Sequence, residues 1–285
     1  MNILYSGDKN IADGLILSLL SLTEHCTEPL RVYVLTMNYK DDDRVCEALP
    51  DSFAYFLNEF LRKKNPESFL KLYDVSARFG REVPSANIKT RFTPGCMLRL
   101  FADEVEDIPS KILYLDNDVL CRGDISEIYN TDITDFELAG VPDYYGRWFF
   151  SRKPFKFDYL NSGVLLLNMD KIRSTGLFKK SRELCCEKQM FMPDQSALNK
   201  LCAEKKILPR KYNEQRKLKT DTVLQHFTTS FRFFPYIHTV TVKPWHIDKL
   251  HNVLGLYCYD ELFEKYMQLK KEYTKAIEDY KEAVI

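Results

Sequence analysis

The segment KILYLDNDVL, residues 111–120, decides how the chain is read. Ile112, Leu113, Tyr114 and Leu115 read as a buried strand, and Asp116, Asn117 and Asp118 interrupt it before Val119 and Leu120 resume the apolar run. An unpaired carboxylate taken out of water is strongly destabilising or gives up its charge. The acids therefore need an exposed strand end or a positive partner. In an extended segment residues two apart share a face, so Asp116 and Asp118 converge with Asn117 turned aside. Open α/β sheets bind ligands beyond the carboxyl ends of their strands, and paired carboxylates there suit Mg²⁺ or Mn²⁺ gripping phosphates. A solvated turn or a helix cap is the rival reading of an isolated D-x-D triplet.

Outward from this segment, strand and helix patterns alternate. Asn2 to Tyr5 reads as a strand, Ser6 to Asn10 as a polar turn, and Ile11, Leu15, Leu19 and Leu22 share one helical face. Arg31 to Met37 is strand-like, Asp41 to Asp43 reads as a helix start carrying acids at its positive end, residues 51–63 as a helix and SFLKLYDV (68–75) as a strand. Thr93 and Pro94 open a helix through Cys96, Leu98, Arg99, Leu100 and Phe101. Further strands are expected at 137–142, 163–169 and 223–227, and helices at Asp170–Lys188 and Asp194–Leu201. The alternation predicts an α/β fold with a largely parallel sheet. With no linker or repeat in view, residues 1–256 are expected to form one domain. Residues 257–285 form an amphipathic C-terminal helix, packed on that domain or on a second copy in a homo-oligomer.

The chain has 285 residues, with 41 basic against 41 acidic, so no global field points to nucleic acid and any basic site is local. Eight scattered cysteines without a C-x-x-C pair read as reduced packing thiols. The N-terminus has no secretory pattern and no apolar run reaches the ~20 residues of a membrane span. A cytoplasmic location is expected, with peripheral contact at the inner face of the membrane as an extension of it.

YLDNDVL resembles the D-x-D element of glycosyltransferase family 8, which contains glycogenin and bacterial lipopolysaccharide galactosyl- and glucosyltransferases. NILYSGDKN, CMLRLFADEV, YLNSGVLLLNMDKIR, PDQSALNKL, ILPRKYN, LQHF and VKPWH resemble further blocks in the family's order, from residue 2 to about residue 250. The resemblance implies a type A glycosyltransferase fold: a Rossmann-like, mixed but mostly parallel sheet flanked by helices, here with a C-terminal helical extension. It also implies a UDP-sugar donor, Mn²⁺ dependence and transfer with retained anomeric configuration.

The same resemblance distributes roles along the chain. Asp116, Asp118 and His226 match the metal ligands, and an imidazole in the set favours Mn²⁺ over Mg²⁺. Ser6, Asp8 and Asn10 match the uridine loop, where Asp8 can accept from the uracil imide; helix capping is their rival reading. Asn117 is grouped with these donor-binding positions, and Arg99 matches a basic residue turned towards the donor phosphates. Lys243 matches the lysine on the diphosphate, where a fixed cation stabilises the charge growing as the sugar departs. Asn161, Asp194 and Gln195 match sugar-facing positions, and Asp194 and Gln195 are the candidates for direct chemistry. Gln195 is a neutral amide and a poor nucleophile, which favours front-face attack over a covalent intermediate.

Asp143 matches a region facing the acceptor, with Tyr144 and Trp148 as acceptor contacts. The aromatic and basic stretch RWFFSRKPFKF (147–157) reads as a packed loop, or as an acceptor lip or membrane contact. The chain departs from the compact bacterial pattern between His226 and Lys243, where an insertion containing FRFFPYI (231–237) is expected to add a flap. The expected partners are UDP-glucose or UDP-galactose and a glycan or lipid-linked saccharide acceptor. Two rivals remain: a sugar-nucleotide pyrophosphorylase or other nucleotidyltransferase, for which SGDKNIADG is poor in glycine, and a non-catalytic sugar-nucleotide-binding protein.

Overall fold

The computed structural model describes residues 1–90, 94–146, 158–232, 234, 236 and 238–284. Strands β1 (Asn2–Ser6) and β2 (Arg31–Thr36) open the chain around helix α1 (Ala12–His25). The short pair β3 (Tyr39–Lys40) and β4 (Val45–Cys46) precedes helix α2 (Asp51–Lys64) and β5 (Phe69–Asp74). There follow β6 (Lys111–Leu115), β7 (Val119–Cys121), β8 (Leu138–Pro142), β9 (Leu160–Asn168), β10 (Lys205–Ile207) and β11 (Leu224–His226).

The main sheet has seven strands in the order β10-β8-β9-β6-β1-β2-β5. Every pairing is parallel except those of β9, which runs antiparallel to both β6 and β8. The reversal matters for the site. The first residues of β9 lie where β6 and β8 end, at the carboxyl edge of the sheet.

Alternate residues of the strands feed two cores. Ile3, Tyr5, Val32, Val34, Leu113, Leu115, Val164 and Leu166 join the core beneath α1, α2 and the C-terminal helix. Leu4, Tyr33, Leu35, Ile112, Tyr114, Leu165 and Leu167 join the other. Both faces of the sheet are covered, so the strands read as continuous apolar runs.

Three local expectations are corrected. Asp41–Asp43 starts no helix: it is the turn between β3 and β4, with Asp43 N donating to Asp41 Oδ1 at 2.9 Å, because a short Asp side chain competes for its own backbone. The helix expected over 170–188 is two helices, Met169–Thr175 and Leu177–Glu187, parted at Gly176 with φ +68°, a left-handed conformation that glycine adopts without strain. The helix after Pro94 is of 3₁₀ type, Gly95–Glu104. Its expected start at Thr93 lies outside the described residues.

The C-terminal helix, Asp260–Val284, packs on the domain. Leu262, Phe263, Tyr266 and Leu269 enter the core with Tyr259, and the Tyr273 ring meets Phe53 and Phe56 at 5.1 Å each. Among the described residues no helix is long and apolar enough to cross a membrane. Truncating Phe263 to Ala removes a buried ring from this seam and is expected to lower the unfolding free energy by about 3–5 kcal/mol, read by urea denaturation.

Candidate metal centre and donor cleft

The two acids are brought together by a turn rather than by an extended strand. Asp116 N still donates to Gly163 O at 2.8 Å, continuing the β6–β9 ladder, and Val119 N donates to Asp116 O at 3.1 Å, closing the turn over Asp116-Asn117-Asp118. Strand β7 then pairs antiparallel with β11, setting His226 opposite Val119. His226 Nε2 stands 3.2 Å from Asp118 Oδ1 and 3.6 Å from Asp116 Oδ2. One ligand atom from each of the three residues falls within 4.8 Å of the others. Gly163 makes the approach feasible: a Cβ there would lie 2.1 Å from His226 Cε1 and 2.7 Å from Asp116 Oδ2.

Each carboxylate has one oxygen held by a cation and one facing the imidazole. Asp116 Oδ1 accepts from Arg99 Nη2 at 2.9 Å and from the Tyr114 hydroxyl at 2.8 Å. Lys243 Nζ donates to Asp118 Oδ2 and, at 3.2 Å, to Phe227 O. Burial alone would push the Asp118 carboxyl up, but the Lys243 ammonium and His226 outweigh it and hold the group well below the usual carboxylate range.

Asp118 Oδ1 is buried and accepts no hydrogen bond among the described residues, although His226 Nε2 faces it. An orphaned carboxylate oxygen opposite an imidazole nitrogen, beside a second acid, is a mixed oxygen and nitrogen donor set for a divalent cation. The residues present fit such an ion.

Arg99 lines the cleft and is held there by two acids. It is buried, donates to Cys96 O at 3.0 Å and to Ser162 O, pairs with Asp116 and lies 3.2 Å from Asp194 Oδ2. Its guanidinium also stacks 4.2 Å over the Tyr114 ring. These partners make it a clamp on the acids. The 3₁₀ helix carrying it is itself gripped by the buried Arg182, which bonds Leu100 O and pairs with Asp103 and Glu104.

At the other end of the cleft, Asp194 and Gln195 lie in the first turn of the helix Pro193–Leu201. Gln195 Oε1 accepts from Ser162 N at 2.9 Å, and its Nε2 lies 3.3 Å from Asp143 Oδ2. Asp143 also accepts from Tyr145 N at 3.0 Å, Gly146 N at 2.6 Å and Asn161 Nδ2 at 2.9 Å. Asp116, Asp118, His226, Lys243, Arg99, Asp143, Asn161, Asp194 and Gln195 all line one cleft of about 790 Å³.

Ser6, Asp8, Asn10 and Asn117 are not among the residues lining that cleft. Ser6 reaches it indirectly, its hydroxyl 3.2 Å from the Tyr114 hydroxyl that bonds Asp116. Asp8 caps the turn by accepting from Asn10 N at 3.1 Å and Asn10 Nδ2 at 2.9 Å, the capping arrangement the sequence left open. Asn117 abuts α1 at Gly14, where an added Cβ would fall 2.4 Å from its Nδ2 and 2.7 Å from the Trp245 ring.

The insertion after His226 folds as a hairpin of β12 (Ser230–Arg232) and β13 (His238–Val240). Phe231 and Thr239 line the cleft, Phe231 packs edge-on to Tyr145 at 4.9 Å, and Phe234 and Tyr236 at the tip are 87% and 68% exposed. Tyr144 N donates to Gln215 Oε1 at 2.7 Å, while Trp148 and the whole of 147–157 lie outside the described residues. Sequence reasoning gave no role to Tyr114, Ser162, Gly163, Asn213 or Gln215. Tyr114 was signalled by its spacing two before Asp116, and Asn213 closes the block ILPRKYN; Gln215 carried no signal.

The fold and cleft are those of a glycosyltransferase. The chain belongs to glycosyl transferase family 8, whose model matches residues 2–249. It is 28% identical over 264 residues to the lipopolysaccharide glucosyltransferase WaaO of Escherichia coli (strain K12), covering 86% of this chain and 73% of that protein. It is 25% identical over 263 residues to a lipopolysaccharide 1,3-galactosyltransferase of Salmonella typhimurium, with the same coverage. In fold it is similar to the galactosyltransferase LgtC crystallised with donor and acceptor sugar analogs, at a TM-score of 0.67 and 20% identity over 97% of this chain and 100% of that one.

Replacing Gly163 with Ala drives a methyl group into His226 and Asp116. The expected result is a loss of divalent-cation affinity of about tenfold or more in calorimetric titration, with the far-ultraviolet circular dichroism unchanged.

Proposed function

We propose that the protein transfers glucose or galactose from the UDP-hexose to a glycan or lipid-linked saccharide acceptor, with Mn²⁺ and with retention at the anomeric carbon. The observation that carries this reading is the orphaned Asp118 Oδ1 facing His226 beside Asp116, with Lys243 at the same carboxylate. Family membership and the named activities of the two lipopolysaccharide relatives support the hexose and the saccharide acceptor.

Asp116, Asp118 and His226 would hold the cation, which when bound neutralises charge on the departing diphosphate. Lys243, tethered to Asp118, would add a fixed positive charge where negative charge develops on the phosphates. Arg99 and Tyr114 hold Asp116 Oδ1 and so aim the other carboxylate oxygen at the centre. Asp8 and Asn10, outside the cleft and bonded to each other, are assigned to the uracil on family membership alone.

The side chains at the sugar end of the cleft support retention. Asp194 is bound by Arg99 and Ser162, and Asp143 accepts several N–H groups, so neither carboxylate is poised as a nucleophile. Gln195 places a neutral amide there to stabilise developing positive charge. The acceptor hydroxyl attacks from the side UDP leaves: its oxygen bonds the anomeric carbon, the bond to the β-phosphate oxygen breaks, and a phosphate oxygen takes the proton. Tyr144, Tyr145 and Phe231 supply aromatic faces for the acceptor ring.

The test is UDP release from a panel of nucleotide sugars. Turnover should require a divalent cation, vanish with a chelator and return more fully with Mn²⁺ than with Mg²⁺; equal turnover in chelator rejects the metal assignment. Asp118→Asn is expected to lower kcat/KM about a hundredfold or more. Lys243→Ala should lower kcat by about 10²–10³, with Mn²⁺ affinity largely kept. A hexosyl adduct on Asp194 or Gln195 in intact-mass spectra would overturn the front-face route.

A further inference from the structure

His226 has two ring nitrogens, and only one of them faces the acids. The other, Nδ1, points into a buried amide pair, 3.1 Å from Asn161 Oδ1 and 3.2 Å from Asn213 Oδ1. We propose that Asn213 is a positioning residue which, with Asn161, fixes His226 in the tautomer whose Nε2 lone pair faces Asp116 and Asp118. It thereby makes Nε2 the ring nitrogen that a cation takes. This rests on the metal reading of the site given above.

The amide orientations follow from partners whose roles are unambiguous. Gly163 N–H can only donate, and it lies 3.0 Å from one atom of the Asn161 amide, which is therefore the oxygen. The Asp143 carboxylate accepts, and it lies 2.9 Å from the other atom, which is therefore the nitrogen. Asn213 approaches Asn161 Oδ1 at 2.9 Å and must present its own nitrogen there. Its oxygen consequently turns to His226. Nδ1 meets two acceptors and carries a proton, so Nε2 is the nitrogen that can give its lone pair to a cation.

Asn213 is the decisive member of the pair. Asn161 Oδ1 already accepts from Gly163 and from Asn213, which fill its two lone pairs, whereas Asn213 Oδ1 takes no other donor among the described residues. Asn213 is 0% exposed, so water does not compete for the bond. Its place is set by the backbone: Asn213 N donates to Arg210 O at 3.0 Å, and Glu214 bridges β11 through Leu224 and His226 at 2.9 Å each. Asn161 Nδ2 also reaches Gln195 Oε1 at 3.3 Å, so one amide links the imidazole to the sugar end of the cleft.

Pulsed EPR of the Mn²⁺-loaded full-length chain reads this directly, through the ¹⁴N coupling of a metal-bound imidazole. The wild-type protein is expected to give that coupling. Asn213→Leu removes the acceptor at similar volume, and the coupling should weaken or vanish while the Kd for Mn²⁺ rises about tenfold or more. Asn213→Asp keeps an acceptor for the Nδ1 proton, so the imidazole coupling should persist, although its second oxygen meets Asn161 Oδ1 where the amide donated. A folded Asn213→Leu protein matching wild type in Kd and coupling overturns the assignment, as does loss of the coupling in Asn213→Asp. A wild-type protein with no imidazole coupling overturns the metal-site reading itself, and this inference with it.

Discussion

Two carboxylates held side by side and largely out of water repel each other, and the architecture around them answers that repulsion. Arg99 takes one oxygen of Asp116 and Lys243 takes one oxygen of Asp118, from opposite sides. The remaining oxygens both turn to His226 Nε2. The protein thus balances the acids only from outside and keeps the space between them for a positive charge. This is the arrangement expected where a cation is bound and released, since complete internal pairing would compete with it.

The sheet makes this geometry available through one reversed strand. Because β9 runs against β6 and β8, its opening residues Asn161, Ser162 and Gly163 stand at the carboxyl ends of both neighbours. Gly163 lets His226 close on the acids, Ser162 bonds Asp194 and Gln195, and Asn161 joins Asp143 to the imidazole. An all-parallel sheet would send these three residues to the far edge. The same constraint explains the density of buried polar groups here: side chains from four strand ends meet, and each must find a partner.

Support for the acids extends well behind the cleft. Arg182, from the helix Leu177–Glu187, fastens the 3₁₀ helix that carries Arg99. On the opposite face the C-terminal helix covers α1, against whose Gly14 the Asn117 side chain lies. The D-x-D turn is therefore held between two independently packed layers, and its position does not rest on the loop alone.

Local chemistry was legible in the sequence. The run Ile112–Leu115, the acids after it, the alternating strands and the amphipathic tail each depend on residues a few positions apart, and each was read with nearly the observed bounds. The blocks around His226, Lys243, Asp143 and Gln195 were picked out only through the resemblance to family 8, since none of these residues stands out in its local pattern. What tertiary structure alone decided was convergence: the reversal of β9, the pairing of β7 with β11, the turn at Asp41–Asp43 and the break at Gly176. The pairing of Arg99 with two acids and the place of Asn213 beside His226 were likewise visible only in the fold. Spacing along a chain fixes which way neighbouring side chains point, but the partner of a buried polar atom is chosen by segments a hundred residues away. Hydrogen-bond satisfaction in the folded interior therefore settles roles that no local pattern encodes.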